Sequence, residues 1–183
     1  MSKVCIGIPL TDSVKVETLR SIVANLQNGE KRDFITQSSC NVILNRNKLV
    51  ELAMERGATH LFFVDSDMDF PPNTIEQLLS HSKPVVGVWS HLRKIPPTVT
   101  VKMFKESSKP DHVFECKAVG TGLMLIDLDV FRKIDKPWFQ FEYDGIELKT
   151  GEDVYFCDKV REAGFSVWCD PTLDIGHIGG YRY

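Results

Sequence analysis

The run Leu61-Phe62-Phe63-Val64 is apolar throughout, and Asp65-Ser66-Asp67-Met68-Asp69 follows it directly. Consecutive apolar side chains without alternation read as a central strand covered on both faces. Three carboxylates within the next five residues cannot share that burial, so the chain must leave the core at Asp65. A layered α/β sheet whose strand ends open onto solvent satisfies both demands.

The rest of the chain supports that reading. Lys3 to Pro9 is a β-rich run, and Val16, Leu19, Ile22, Val23 and Leu26 then recur at helical spacing until Asn28-Gly29. A second strand is expected near Asp33 to Ser38, and a helix from Asn45 to Arg56 with Gly57 at its stop. Pro71-Pro72-Asn73 opens a short helix carrying Ile75, Leu78 and Leu79, with Asn73 placed to cap it, and Pro84 to Trp89 adds a strand. From Thr98 to Asp127 the runs TVTVKMF, HVFECKAV and GLMLID are strand-like with little helix between them, which predicts a mixed, partly antiparallel sheet. A short helix over Asp127 to Ile134, an aromatic segment from Pro137 to Asp144, a helix from Gly151 to Ala163, the strand SVWCD and a Gly-rich tail complete the order.

Composition narrows the function. The 183 residues, 43% hydrophobic and without repeat or linker, fit one compact domain. With 22 basic and 25 acidic residues the formal net charge is −3, so no basic footprint argues for nucleic acid or an anionic membrane surface. VCIGIPL near the start lacks the charged leader and cleavage site of a signal peptide, and no stretch approaches the about 18 apolar residues of a membrane span. Cys5, Cys40, Cys116, Cys157 and Cys169 are odd in number and free of any CxxC pair, which disfavours a disulfide framework or a thiolate zinc site. They read as small buried hydrophobes, and the chain as cytoplasmic.

Four clusters can carry chemistry. Asp65 and Asp67, two apart on an extended segment, project to the same side and could hold a divalent cation bridging a diphosphate. Their position past a strand end is where ligands sit in open α/β sheets, although an acidic turn before the helix at Thr74 uses the same residues. Glu152 and Asp153 open a helix, where the macrodipole favours acids, and either could instead serve as a general base. His177, flanked by glycines, is a ligand type that suits Mn²⁺ beside carboxylates, although a lone histidine is usually a surface or core residue. Gly120-Thr121-Gly122 is either a bulge or a cleft wall with room for a sugar.

Taken in order, these pieces resemble a GT-A fold nucleotide-sugar glycosyltransferase of the family-two-like kind. The resemblance covers GIPLT at Gly7 to Thr11, HLFFVDSDMDFPP at His60 to Pro72, AVGTGLMLID at Ala118 to Asp127, GEDVYFCDKVREAGF at Gly151 to Phe165, and DIGHIG at Asp174 to Gly179. Asn45-Arg46-Asn47 before a helix is similar to the stretch such enzymes keep beneath the donor diphosphate. The resemblance implies a single-domain, nucleotide-diphospho-sugar transferase fold with a mixed central sheet and flanking helices. Residues 1–89 would form its nucleotide-binding half and residues 90–183 its acceptor and catalytic half. It implies donor contacts from Pro9, Thr11, Arg46, Asp65, Ser66, Asp67 and Gly122. Mn²⁺ or Mg²⁺ would be held by Asp67 and His177 with Asp65, and Asp153 would be the catalytic base with Glu152 beside it. The implied reaction moves a sugar from a nucleoside diphosphate sugar, UDP favoured, to a carbohydrate or other hydroxyl acceptor, with inversion; a retaining transferase is the alternative.

Only six residues follow His177, so the acceptor is expected to be small, or gripped by the segment from Trp89 to Phe104 and by Trp138, Phe139, Phe141 and Tyr143. Trp89 is the preferred cleft aromatic, although core packing is the commoner fate of such residues. A homo-oligomer is left open. A haloacid-dehalogenase-type phosphohydrolase is disfavoured by Asp69, which stands where Thr or Val is needed, and GIPLTDS lacks a dinucleotide-binding GxGxxG. A nucleotidyltransferase would want a Gly-rich basic loop at the N-terminus. A catalytically inactive sugar-nucleotide-binding domain is the non-enzymatic reading.

Overall fold

The computed structural model describes residues 2–28, 31–105 and 107–179. Gly29 and Gly180, read above as a helix stop and part of the tail, lie outside them. The chain opens with β1 (Val4–Leu10), α1 (Val16–Gln27), β2 (Arg32–Ser38), α2 (Val42–Glu55) and β3 (His60–Val64), a run of crossovers that makes these three strands parallel. There follow β4 (Met68–Asp69), α3 (Thr74–Ser80), β5 (Val85–Val88), β6 (Phe114–Cys116), β7 (Leu123–Asp127) and α4 (Leu128–Lys133). The hairpin β8 (Glu142–Asp144) and β9 (Glu147–Thr150), then α5 (Glu152–Glu162), β10 (Val167–Asp170) and β11 (Gly176–His177), complete the fold.

The main sheet runs β2-β1-β3-β7-β5-β10-β6. β7 is antiparallel to both β3 and β5, and β6 is antiparallel to β10 at the edge, so the sheet is mixed as expected. The reversal of β7 matters for the site: Leu123 pairs with Val64, so the start of β7 lies at the edge where β1, β3 and β5 end.

Alternate residues of each strand feed two cores. Leu61 and Phe63 face Leu49, Val50 and Ala53 of α2, Phe131 of α4 and Phe156 of α5, while Phe62 and Val64 face Ile22 of α1 and Ile75 and Leu78 of α3. Phe139 stacks on Phe156 at 4.7 Å between centroids and meets Phe63 edge-on at 5.4 Å. Such pairs contribute beyond area burial alone. Gly87 of β5 is required by a close approach: a Cβ there would stand 2.7 Å from both Val119 methyls.

The structure corrects several readings. α2 starts at Val42 rather than Asn45, because the Asn41 side chain accepts from the N–H groups of Ile43 and Leu44 and caps the helix one turn earlier. Asn73 precedes α3 but makes no side-chain cap; Thr74 Oγ1 donates to Pro71 O at 2.8 Å instead. TVTVKMF is no strand: isolated bridges His91–Val99 and Lys102–Ala118 hold it, and only Phe114–Cys116 of HVFECKAV joins the sheet. Alternating β-formers need a continuous neighbour to pair with, and this segment has none. The β8–β9 hairpin, turning at Gly145 with φ 64°, lay hidden in the aromatic segment and beyond it. Cys40 is exposed, unlike the other four cysteines. No helix among the described residues is long and apolar enough to cross a membrane.

Candidate active site

β3 delivers the acidic cluster to the sheet edge, and alternation then distributes it. The Asp65 N–H donates to Gly122 O at 2.9 Å, which continues the β3–β7 ladder by one bond and fixes where the chain turns out. Asp69, the third acid, accepts a long 3.4 Å hydrogen bond from Ser21 of α1, away from the cleft. β4 pairs antiparallel with β11, His177 opposite Met68, and Ile178 N donates to Asp67 O at 2.7 Å. That small second sheet brings His177 to Asp67 across 110 positions of sequence.

Asp67 is engaged at both carboxylate oxygens. Oδ1 lies 3.2 Å from His177 Nε2, and Oδ2 lies 2.8 Å from Arg93 Nη1. Burial pushes the Asp67 carboxyl up, but the His177 hydrogen bond and the His177 and Arg93 charges outweigh it and hold it below its ordinary value. For His177 burial pushes downward, and the hydrogen bonds to Asp67 and to the His91 carbonyl overcome that and raise it. The contact of His177 Nδ1 with His91 O, at 2.9 Å, fixes the ring and turns Nε2 toward Asp67.

Arg46, on the second turn of α2, is 2% exposed. Its Nη2 donates to Asp65 Oδ1 at 2.9 Å, its Nε lies 3.5 Å from Glu152 Oε1, and its guanidinium sits over the Phe63 ring. Among the described residues Nε and Nη1 have no hydrogen-bond partner, a rarity for buried donors. Burial holds the Glu152 carboxyl above its ordinary value, with Arg46 offsetting part of the shift.

These groups line one cavity of about 310 Å³: Pro9, Thr11, Val42, Arg46, Asp65, Ser66, Asp67, Arg93, Glu152 and His177. Pro9, Thr11 and Val42 also line a neighbouring cavity of about 520 Å³, whose other wall carries Cys40, Asn41, Phe141 and Tyr143. Of the residues singled out in the sequence, Pro9, Thr11, Arg46, Asp65, Ser66, Asp67, Glu152 and His177 therefore come together. Gly122 stands behind them, where a Cβ would lie 3.3 Å from Asp65 Oδ2 and 3.4 Å from Met68 Sδ. Asp153 is adjacent but is not among the lining residues, and its Oδ1 turns back to accept from Val154 N at 2.7 Å.

Asn45 and Asn47 do structural work on either side of Arg46. Asn45 donates to Leu10 O and Ser39 O, tying β1 to α2, and Asn47 holds the backbone of Trp138 and Phe139. Trp89 is not a cleft aromatic: it is 8% exposed and packs in the core near Phe114. Trp138 and Phe139 are core as well, whereas Phe141 and Tyr143 reach a cavity. Arg93 was missed, although HLRK, separated from the end of β5 by two residues, offers a basic side chain near the sheet edge that carries the acids.

Asp67 and His177, one carboxylate and one imidazole, face each other here. The 3.2 Å between Asp67 Oδ1 and His177 Nε2 is the spacing that adjacent ligands of one small cation take when each bond is about 2.1 Å. The bonded Nδ1 is the second contact that metal-binding histidines use. Among the described residues no group of three His, Cys, Asp or Glu side chains converges for a metal, and Asp65 turns to Arg46 rather than joining the pair. The residues thus fit a cation that completes its shell with oxygens of a bound ligand.

No protein-family model matches the chain, and no curated protein sequence matches it. Solved structures do. A197 from STIV superposes with a TM-score of 0.74 at 19% identity, covering 97% of this chain and 86% of that one. The inositol-1-phosphate CTP transferase from T. maritima gives 0.59 at 10% identity, with 97% and 90% covered. S. aureus TarS, residues 1–349, gives 0.55 at 17% identity over 92% of this chain and 57% of that one. At these identities the likeness is one of fold, and the fold is GT-A-like, that of the nucleotide-diphospho-sugar transferases.

Proposed function

We propose that this chain is a glycosyltransferase that takes a sugar from a nucleoside diphosphate sugar, UDP-linked by preference, and passes it to an acceptor hydroxyl. The observation that carries the reading is the Asp67–His177 contact in the wall of a polar cavity at the carboxyl end of β3, beside a buried arginine two of whose donors have no hydrogen-bond partner among the described residues. Residues 1–89 form the nucleotide half, with Pro9, Thr11 and the neighbouring larger cavity receiving base and ribose. Residues 90–183 supply the acceptor side. Asp67 and His177 would hold Mn²⁺ or Mg²⁺, with Asp65 and Ser66 close by. When bound, the cation would offset negative charge growing on the leaving nucleoside diphosphate. Arg46 orients Asp65 and Glu152, and the absent side chain at Gly122 leaves Asp65 its place.

Asp153 takes the acceptor proton as the acceptor oxygen attacks the anomeric carbon, the bond to the diphosphate breaks, and configuration inverts. One observation favours a second assignment: Glu152, not Asp153, lines the cavity, and its burial raises its proton affinity toward that of an effective base. Asp153→Asn and Glu152→Gln separate the two, because the base variant keeps donor binding and loses transfer. The function itself is tested by thermal shift with a panel of nucleotide sugars, with and without Mn²⁺, since a ligand of the native state raises its stability by mass action. A Mn²⁺-dependent shift with one donor, abolished in Asp67→Ala, is expected. No shift with any donor refutes the reading.

A further inference from the structure

The segment after β5 leaves the sheet as a loop closed at its base and open at its tip. Leu92 N donates to Thr98 O at 2.8 Å, His91 bridges Val99, and Thr100 N donates to Ser90 O at 3.0 Å. Residues 92–98 between these ties are all exposed, Ile95 at 74%. Arg93 lies in this exposed stretch, and it reaches back into the cleft to pair with Asp67 Oδ2. Its side chain is 50% exposed while that of Asp67 is 12% exposed. The same loop base supplies the His91 carbonyl that orients His177. Arg93 thus lines the cavity and lies on the oxygen of Asp67 that His177 leaves open.

The charges lining the cavity are two guanidiniums, Arg46 and Arg93, against three carboxylates, Asp65, Asp67 and Glu152. Arg46 is buried between two of those carboxylates and cannot leave without stranding them. Among the described residues Arg93 has one ion-pair partner, Asp67, and it has a long half-solvated side chain on an exposed loop. A divalent cation on Asp67 would meet the Arg93 guanidinium as a like charge. A diphosphate entering with that cation offers the same guanidinium two oxygens in the planar, bidentate arrangement that arginine suits.

Resting on the donor reading above, we propose that Arg93 is a donor-phosphate residue held in reserve on Asp67. It occupies the cation position while the cleft is empty, and moves to the diphosphate when a divalent cation takes its place. The loop from His91 to Val99 is then a strap ordered over the donor by that exchange. Arg93 is both a competitor of the free metal and a ligand of the loaded nucleotide, two effects of opposite sign on one residue.

The test compares full-length native protein with Arg93→Gln. Mn²⁺ binding alone is followed by the electron paramagnetic resonance of free Mn²⁺. Nucleotide binding is followed by calorimetry at saturating Mn²⁺, using the tightest binder among UDP, GDP, CDP, ADP and dTDP. Arg93→Gln is expected to bind Mn²⁺ alone about 2- to 5-fold tighter, the worth of one partly exposed ion pair. It is expected to bind the nucleotide at least ~10-fold more weakly, the worth of a charge-assisted hydrogen bond. Arg93→Lys, which keeps the charge but not the fork, should restore the Mn²⁺ competition and only part of the nucleotide affinity. If native protein binds Mn²⁺ and nucleotide and Arg93→Gln changes neither, or weakens both alike, this inference is overturned and the donor reading stands. If native protein binds none of the nucleotides with Mn²⁺, both fall.

Discussion

Replacing Arg46 by methionine isolates what the buried guanidinium does. Methionine keeps an unbranched apolar stem like that of arginine, so the packing of the stem is largely kept, although the guanidinium contact with Phe63 goes with the charge. What disappears is the positive charge between Asp65 and Glu152. Removing one member of a buried ion pair costs about 3–5 kcal/mol, because the survivor keeps its charge without a partner. Here the survivors retain water, Asp65 at 31% and Glu152 at 17% side-chain exposure, which brings the expected loss to about 2–3 kcal/mol. For a domain of this size each kcal/mol moves the midpoint by about 2–4 °C, so Arg46→Met should melt about 4–12 °C lower. The triple variant Arg46→Met, Asp65→Asn, Glu152→Gln should recover most of that, because it removes the stranded charges too. Differential scanning calorimetry without ligand reads both numbers. A single variant that melts with the native protein, or a triple variant no better than the single, would refute the assignment of Arg46 as counter-ion to both acids.

Three further outcomes follow from particular contacts. Gly87→Ala places a Cβ 2.7 Å from Val119, and overpacking of that kind costs about 1–3 kcal/mol in a urea melt; an unchanged midpoint would mean the β5 contact is slack. Asn41→Ala removes the acceptor for two N–H groups of α2 and should cost about 1 kcal/mol, with Asn41→Gly losing only a few tenths. The Glu152 carboxyl is held above its ordinary value of 4.5 by burial, so the folded state binds that proton more readily than the unfolded chain. Its contribution to stability is therefore fully present below that value and fades as pH rises through the raised one. Glu152→Gln should flatten that part of the stability profile in denaturant titrations across pH, and an identical slope in both proteins would contradict the burial argument.

Local pattern was enough for much of the fold. The unalternated LFFV run became β3 with both faces covered, and the helix expected from Asn45 to Arg56 became α2, which buries Leu49, Val50 and Ala53. The three runs after Thr98 told correctly that the sheet is mixed, but only GLMLID paired fully, because whether an alternating segment becomes a strand depends on an edge being free beside it. The β8–β9 hairpin was hidden by a related ambiguity: its strands are short and largely exposed, so neither carries a buried period to count. Trp89 failed for the opposite reason. It stands at the right strand end for a cleft, but its side chain turns to the core that Phe114 helps to close.

At the site, residue types were legible and partnerships were not. Asp65 and Asp67 share a motif, yet the structure gives them separate cations, Arg46 for one and Arg93 with His177 for the other. Spacing of two on an extended segment suggested a shared ion, and that inference assumed equal surroundings. The surroundings differ because α2 brings Arg46 up beneath Asp65, whereas the β4–β11 pairing and the loop after β5 converge only on Asp67. Each carboxylate is thus neutralised by a different element, with different freedom to move. The buried arginine on a helix is fixed, so the Asp65–Glu152 side can serve as a rigid wall. The arginine on an exposed loop is half-solvated, so under the exchange proposed above the Asp67 side is where a cation and its anionic ligand would enter without first breaking the core.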